Sequence, residues 1–400
     1  MNEILIVEPQ FFTTFECVGG ACIDHCCKDW DIVLNKSTVN LYKNSSDIEI
    51  RKISDVNVIN IEIDDGNWGR VKLKDTGNCS FLDNDCLCKV QKSLGEDALS
   101  PTCAIYPRVY TSHKYEIRSN LTLSCPEATR MLLTNTGSML FNEKIKKSNY
   151  ALDAPDVLEE NRLLNLMCVN IMVGCGKNIE VGLYGVLKIL SFHDDLLNDN
   201  NVHDKLLNYF DGMMSSIDSG ELIACLDKIT PNYKLQGELF TRLKASLSKK
   251  NEGRGSKPFQ FFLQKTSNLI GKGMKYKELL PFLIAINSAW DGNVNKCTKN
   301  HPYFMSNYIQ YRMYEDFFPF KNGKDALLNV SILMVEWFLL KLLIASVIEL
   351  DSNITEVDLV KLFYSYHSIT RHDNNYEDNL LDDIMGLEIE GYSSLIYLLK

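Results

Sequence analysis

The sequence predicts an α+β fold, mostly α, with a small loop-rich cysteine module at the N-terminal end packed on a larger all-α domain. Three observations lead there. Nine of the thirteen cysteines fall before residue 126, in two blocks set among turn formers such as Gly19-Gly20, Asp83-Asn84-Asp85 and Pro101. The same stretch contains short segments that alternate apolar and polar residues with period two. Beyond about residue 130, apolar residues recur at helical spacing to near the end of the chain. These place a cysteine-rich domain at 1–130 and a helical domain at 131–400, which can subdivide near 248–258.

Taken in order, Ile4 to Val7 is a short apolar strand leading into the first cysteine block. Trp30 to Leu34 opens a segment with both strand and helix character. Ile59 to Ile63 alternates as a strand does, turns at Asp65-Gly66-Asn67 and continues through Trp68 to Leu73 as a hairpin. Lys114 to Leu123 is another alternating segment. It ends at Ser124-Cys125-Pro126-Glu127, which reads as a helix start: proline suits the first turn, and an acid there complements the positive end of the dipole.

Ten helical stretches follow: Val157 to Met172, Leu183 to Leu197, Val202 to Ser215, Leu222 to Ile229, Glu238 to Leu247, Lys277 to Trp290, Tyr303 to Phe317, Ala326 to Leu350, Ile354 to Thr370 and Tyr376 to Met385. Between them, Lys249 to Pro258 (KKNEGRGSKP) is charged, glycine-rich and without apolar residues, so it reads as an exposed loop or a linker. Val173-Gly174-Cys175-Gly176 has part of a nucleotide-binding glycine loop, but it lacks the third glycine and is flanked by helix on both sides. A helix–helix turn fits it better. Cys168, Cys175, Cys225 and Cys297 sit singly in or beside helical stretches and read as ordinary buried thiols.

Composition narrows the function classes. The chain has 400 residues, 45% hydrophobic and 24% charged, as in a soluble globular protein. A net charge of -10 argues against nucleic-acid binding. It suits a lysine-rich partner, and equally serves solubility. The beginning, MNEILIVEPQFF, lacks the pattern of a secretory signal, so a cytoplasmic location is expected and disulfides are not. Ile332 to Leu350 is apolar, yet Glu336 and Lys341 in its interior favour a buried helix over a membrane span.

Four or more thiols gathered on loops point to a soft-metal site, either zinc or an iron–sulfur cluster. The spacing runs Cys17-x4-Cys22-x3-Cys26-Cys27, then Cys79-x6-Cys86-x-Cys88-x14-Cys103-x21-Cys125. It lacks the paired knuckles of a zinc ribbon. It also departs from the Cys-x3-Cys-x2-Cys of radical S-adenosylmethionine enzymes, since Cys22-x3-Cys26 is followed directly by Cys27. On chemistry alone the spacing leaves the metal open.

The run Phe15-Glu16-Cys17 through Cys22 and Cys26-Cys27-Lys28-Asp29-Trp30-Asp31-Ile32 resembles the opening motif of the flagellin lysine N-methylases, the FliB family. That family is related to a wider group of zinc- or iron-chelating cysteine-cluster proteins. The likeness continues through Gly77-Asn78-Cys79, Leu87-Cys88-Lys89, Ser100-Pro101-Thr102-Cys103, Tyr106-Pro107-Arg108 and Ser124-Cys125-Pro126-Glu127. In the helical half it reaches Tyr303, Tyr308, Phe318-Pro319-Phe320 and Arg371-His372. The resemblance implies methylation of lysine ε-amino groups on flagellin, with S-adenosylmethionine as donor and an iron–sulfur cluster, [4Fe–4S] in kind. Carried over residue by residue, the family's cysteines match Cys17, Cys22, Cys26, Cys27, Cys79, Cys88, Cys103 and Cys125, while Cys86 stands outside the pattern. Eight thiolates exceed the four of one cluster, so one site with supporting cysteines and two sites both stay open. Zinc is the alternative metal. A zinc-stabilised binding or chaperone-like protein and a thiol redox sensor are the alternative functions.

Methyl transfer to lysine needs a deprotonated amine, whose free pKa is about 10.4, and a donor methyl held in line. The stripe Tyr303, Asn307, Tyr308 and Tyr311 offers aromatic and polar groups on successive helical turns, or simply a packing face. His372 is either a base or a cap. Arg108 can hold a donor carboxylate with its planar fork, or pair within the cysteine loops. Glu127 either positions an amine or serves its own helix. Tyr308, His372 and Glu127 are thus the candidate catalytic residues, and Arg108 and Asn307 the candidate donor-binding residues.

Overall fold

The computed structural model describes residues 2–196, 201–270, 276–315, 317–320, 325–387, 389 and 391–400. Leu197 and Asp316, each within an expected helix, lie outside the described residues. The chain opens with β1 (Asn2–Pro9) and a single helical turn, α1 (Gln10–Thr13). After the first cysteine block come β2 (Val33–Leu34), α2 (Lys36–Lys43), α3 (Ile48–Asn57), β3 (Val58–Asn60) and β4 (Gly69–Val71). Both helices start on side-chain caps: Asn35 accepts from Thr38 N–H, and Asp47 accepts from Glu49 and Ile50 N–H. The expected hairpin forms, with β3 antiparallel to β4 and β2 on the other side of β4.

Two short helices follow, α4 (Lys89–Leu94) and α5 (Pro101–Ile105), the second capped by Ser100 and carrying proline in its first turn. Then come β5 (Arg108–His113), β6 (Glu116–Leu121), α6 (Pro126–Thr134) and β7 (Phe141–Ser148). The main sheet has the order β5-β6-β1-β7. β1 runs parallel to β6, with Ile6 opposite Ile117, and antiparallel to β7 along all eight residues. β5 and β7 are strands beyond those expected from the pattern of residues. All of β7 except Ser148 is exposed, so its pairing with β1, rather than burial, holds it.

The remainder is helical: α7 (Glu159–Cys175), α8 (Ile179–Asp195), α9 (Val202–Asp218), α10 (Glu221–Asp227), α11 (Tyr233–Leu247), α12 (Ser256–Ile270), α13 (Tyr276–Cys297), α14 (Phe304–Glu315), α15 (Ala326–Asp351), α16 (Glu356–Thr370) and α17 (Tyr376–Met385). All ten expected stretches are helical over most of their length. α12 is an addition, and it begins inside the stretch read as a loop. Gly176 ends α7 with φ +58°, so the Val173 to Gly176 segment is the expected helix–helix turn.

α15 buries 21 of its 26 residues. Its length and apolarity would suffice to cross a membrane, but the whole window lies inside the protein. One large core joins the helices to Val7, Phe11, Phe15, Leu121, Leu123 and α6. A second, smaller core gathers Ile32, Leu34, Tyr42, Ile50, Phe81 and their neighbours between residues 32 and 98.

Hydrogen bonds from α14 fasten the main sheet to the body. Tyr314 Oη donates toward Val7 O (2.8 Å) and Ser119 O (3.1 Å), and Tyr311 Oη to Leu121 O (3.0 Å). Asn165 and Asn329 donate to the carbonyls of Phe318 and Pro319, fixing the Phe318-Pro319-Phe320 corner.

Candidate active site

The cysteines sit where loops meet. Cys79 N–H donates to Cys27 O (2.9 Å), and single bridges join Lys28 to Asn78, Leu73 to Cys79 and Leu82 to Cys88. Asp29 N–H donates to Gly77 O (2.9 Å). At Gly77, with φ +81°, a Cβ would fall 1.8 Å from Asp29 Oδ1, so only glycine allows this closeness. Cys88 is the N-cap of α4 and Cys125 the N-cap of α6, while Cys103 lies in the short helix α5. Helix N-termini favour negative charge, which suits thiolate ligands.

The thiols fall into two neighbourhoods. Cys27 feels the charges of Cys26, Cys79 and Cys88, and Cys103 those of Cys88 and Cys26. Cys22 feels Cys26 and Cys17, and Cys125 feels Cys22. Within the adjacent pair, the hydrogen bond between Cys27 and Cys26 pulls Cys26 down and pushes Cys27 up. Burial raises Cys79, Cys88, Cys103 and Cys125. Cys86 is exposed. Among the described residues, no three His, Cys, Asp or Glu side chains converge closely enough to hold a metal ion. The donor set is nevertheless one a thiophilic metal requires: several thiols, mostly half-buried, on interlocked loops. In composition and neighbourhood the residues fit such a group.

The loop before α12 reaches into this region, contrary to its expected exposure. Arg254, flanked by Gly253 and Gly255, has a side chain only 11% exposed. Its Nη1 donates to Tyr106 Oη (2.7 Å) and its Nη2 to Asp24 O (2.7 Å), with Nε 3.4 Å from Asp24 Oδ2. Gly255, at φ +79°, lets the loop lie on α16, since a Cβ would meet Ser368 Cβ at 2.7 Å and Ser365 Cα at 3.1 Å. One guanidinium thus ties the helical body to the loop between Cys22 and Cys26.

A cavity of about 330 Å³ opens beside this tie, lined by Asp29, Trp30, Tyr106, Arg254, His372 and Asp373 among others. Trp30 and Tyr106 form an aromatic wall, their rings 5.2 Å apart. Trp30 Nε1 is buried and, among the described residues, has no hydrogen-bond partner. Lys250 and Asp373 pair at the cavity's edge. A second cavity of about 730 Å³ shares Asp29, Glu252 and Gly253 with the first and extends past Lys28, Lys74 and Tyr364.

Of the residues singled out from sequence, His372 faces the first cavity. Burial lowers its pKa, and the Arg254 charge lowers it further. Arg371 beside it is fixed by Glu377 (3.1 Å) and Glu315 (3.5 Å), which anchors the backbone that presents His372. Tyr308 is fully buried, its Oη 3.3 Å from His367 Nε2, and does not line this cavity. Asn307 donates to Leu132 O (2.9 Å) and Asn135 O (3.1 Å), joining α14 to the end of α6. Tyr311 is buried as well, so three of the four residues in the stripe form a packing face, and only Tyr303 is exposed. Glu127 pairs with Arg130 one turn on (2.6 Å), within its own helix. The Arg108 guanidinium lies over the Phe15 ring, 5.6 Å from its centroid.

Sequence reading passed over Arg254 as a site residue. The available signal was an arginine between two glycines in a stretch without apolar residues, a placement that brings a charge close to another backbone. Trp30 and Tyr106 were seen only as parts of motifs.

The family model described as the FliB lysine N-methylase C-terminal domain matches residues 165–400. The chain is 30% identical over 405 residues to the Lysine-N-methylase of Salmonella typhimurium strain LT2, and equally to that of Salmonella choleraesuis strain SC-B67. In both cases the match covers 100% of each chain. It is 45% identical over 153 residues to the Flagellar biosynthetic protein FliU of Salmonella muenchen, covering 38% of this chain and 90% of that one. No solved structure matches. The N-terminal cysteine motifs, the helical body and the full-length identity agree: the chain belongs to the FliB lysine N-methylase family, a family of methyltransferases.

Proposed function

We propose that the protein methylates lysine side chains of flagellin in the cytoplasm, in the crevice between the cysteine loops and α16, with S-adenosylmethionine as methyl donor. The observation that carries this reading is His372, held below the ordinary histidine range in a cavity walled by Trp30 and Tyr106. A lysine ammonium entering that wall loses hydration, which lowers its pKa, and a neutral imidazole can then take its proton. The freed nitrogen lone pair attacks the donor's methyl carbon. The carbon–sulfur bond breaks, and the sulfonium becomes a neutral thioether. Arg254 does not oppose the positive charge of the donor, because Asp24 and Tyr106 hold its guanidinium. Trp30 Nε1 is a free donor for a polar edge of either substrate.

Four of Cys26, Cys27, Cys79, Cys88 and Cys103 would hold the iron–sulfur cluster, with the fifth and Cys17, Cys22 and Cys125 beside it. When bound, such a group supplies an electron-rich thiolate-ligated centre that cross-links the loops. His372, Arg254 and Tyr106 perform the binding and proton transfer. The lysine-N-methylase names of the full-length relatives support the reaction, and the flagellar name of the third supports the substrate.

Co-expression with flagellin followed by peptide mass spectrometry tests this reading. Lysine-containing peptides should gain the mass of one or more methyl groups, and flagellin left unmodified, with and without oxygen, would refute it. Metal analysis of the anaerobically purified protein should find iron with sulfide, whereas zinc alone would remove the cluster from the proposal.

A further inference from the structure

α15 carries two ionisable residues within its buried length, and only one of them is paired. Glu336 meets Arg312 Nε at 2.8 Å. Lys341, one and a half turns on, is 5% exposed, and among the described residues no carboxylate or carbonyl lies within ion-pair or hydrogen-bond distance of its Nζ. The ammonium instead lies 6.0 Å from the centroids of both Trp290 and Trp337, whose rings meet edge-on at 5.0 Å. A buried ammonium without an acceptor is costly, and aromatic faces offset only part of that cost.

Lys341 also lines a cavity of about 370 Å³, large enough for a small metabolite. Glu180, Asp291, Asn178 and Asn287 line the same cavity. Glu180 is kept beside the cation without pairing to it, because its Oε1 accepts the Trp290 indole N–H at 3.1 Å. Ile223 and Leu226 give the cavity an apolar wall. At its edge, Asp227 and Lys400 neutralise each other at 2.9 Å.

The charges decide the ligand. A simple anion on Lys341 would face two carboxylates, and a simple cation on those carboxylates would face Lys341. We propose that this cavity binds an α-amino-acid group, with its carboxylate on Lys341, its ammonium toward Glu180 and Asp291, and its side chain against Ile223 and Leu226. Burial lowers the pKa of Lys341, and Glu180 and Asp291 offset only part of that, so a carboxylate from a ligand would restore the favoured charged form. The same chemistry is presented by a free amino acid and by the amino-acid end of a larger molecule such as the methyl donor.

Isothermal titration of the full-length protein with L-leucine tests the site. Saturable binding is expected. Leucine methyl ester, which lacks the carboxylate, and the Lys341→Met variant should each bind at least about tenfold more weakly. Glu180→Gln should weaken leucine binding as well, and it serves if Lys341→Met does not fold by circular dichroism. Absence of leucine binding, equal affinity for the ester, or wild-type affinity in a folded Lys341→Met protein would overturn the proposal. S-adenosylmethionine added to the leucine complex then identifies the source. Displacement assigns the site to the donor's amino-acid end and would remove the donor from the His372 crevice, whereas persistence assigns it to a free amino acid and leaves the proposed function untouched.

Discussion

The cysteine loops and the helical body are held together differently. In the body, a single helix, α15, buries 21 side chains, and the charges it carries are few and deep. Between residues 32 and 98, eleven buried side chains form the core, fringed by half-buried ones such as Trp30 and Trp68 and by caps, turns and loop-to-loop hydrogen bonds. A core of that size supplies only about 3–5 kcal/mol, so such a module normally depends on something besides burial. In the proposed reading its cysteines are that means, since a metal bound there would couple binding to folding. The two regions meet through Arg254, a buried charge from the body whose two hydrogen bonds and one ion pair go to the loops.

The largest expected effect lies in the loops. Cys27→Ala should lower soluble yield, metal content and activity together, as measured by expression, metal analysis and methylation. Normal yield and metal content would show that the loops fold without that thiol. In the body the weak point is ionic. Glu336→Leu leaves Arg312 buried with one fewer carboxylate and should cost about 3–5 kcal/mol in urea unfolding. A loss below about 1 kcal/mol would mean that the remaining partners of Arg312, Glu315 among them, satisfy it.

At the junction, Arg254→Met removes two charge-assisted hydrogen bonds and should cost about 1.5–3 kcal/mol. Its cleaner signature is protease sensitivity near Asp24, because the loop loses its anchor while the body keeps its core. The smallest effect is on pH dependence. The folded pKa of His372 lies below its unfolded value of about 6.5, so below that pH the unfolded chain binds more protons than the folded one. The stability that neutral His372 contributes is therefore complete above pH 6.5 and is lost as pH falls toward the lowered folded pKa. Thermal melts of wild type and His372→Gln should coincide at neutral pH and separate on acidification, the wild type losing more stability. Buried His367, lowered in the same way, gives the part of the slope that both share.

Helices were legible because burial on one face imposes a period of 3.6, which a sequence carries openly. α12 escaped because its first residues belong to a charged, glycine-rich stretch, and its apolar face begins only at Phe259. β7 escaped for the opposite reason: eight residues paired to β1 need no apolar pattern when both faces are wet. The cysteine set and His372 could be found by residue type and motif. Arg254 could not be assigned, because its role rests on a fold-level contact 230 residues away in sequence. Tyr308 and Asn307 show the converse limit: aromatic and amide groups at helical spacing look like a binding face, yet here they lock α14 to α6 and α16.

The central claim is that a neutral His372 in the crevice takes the proton from the substrate lysine. It is tested most directly by the methylation rate of flagellin with purified His372→Gln, which preserves size and polarity but cannot accept a proton. With the melting temperature unchanged at neutral pH, the rate should fall by about 10²–10⁴-fold, and the acid limb of the wild-type profile, set by the lowered His372 pKa, should vanish. A folded His372→Gln protein that methylates flagellin at the wild-type rate, with the same acid limb, would contradict it.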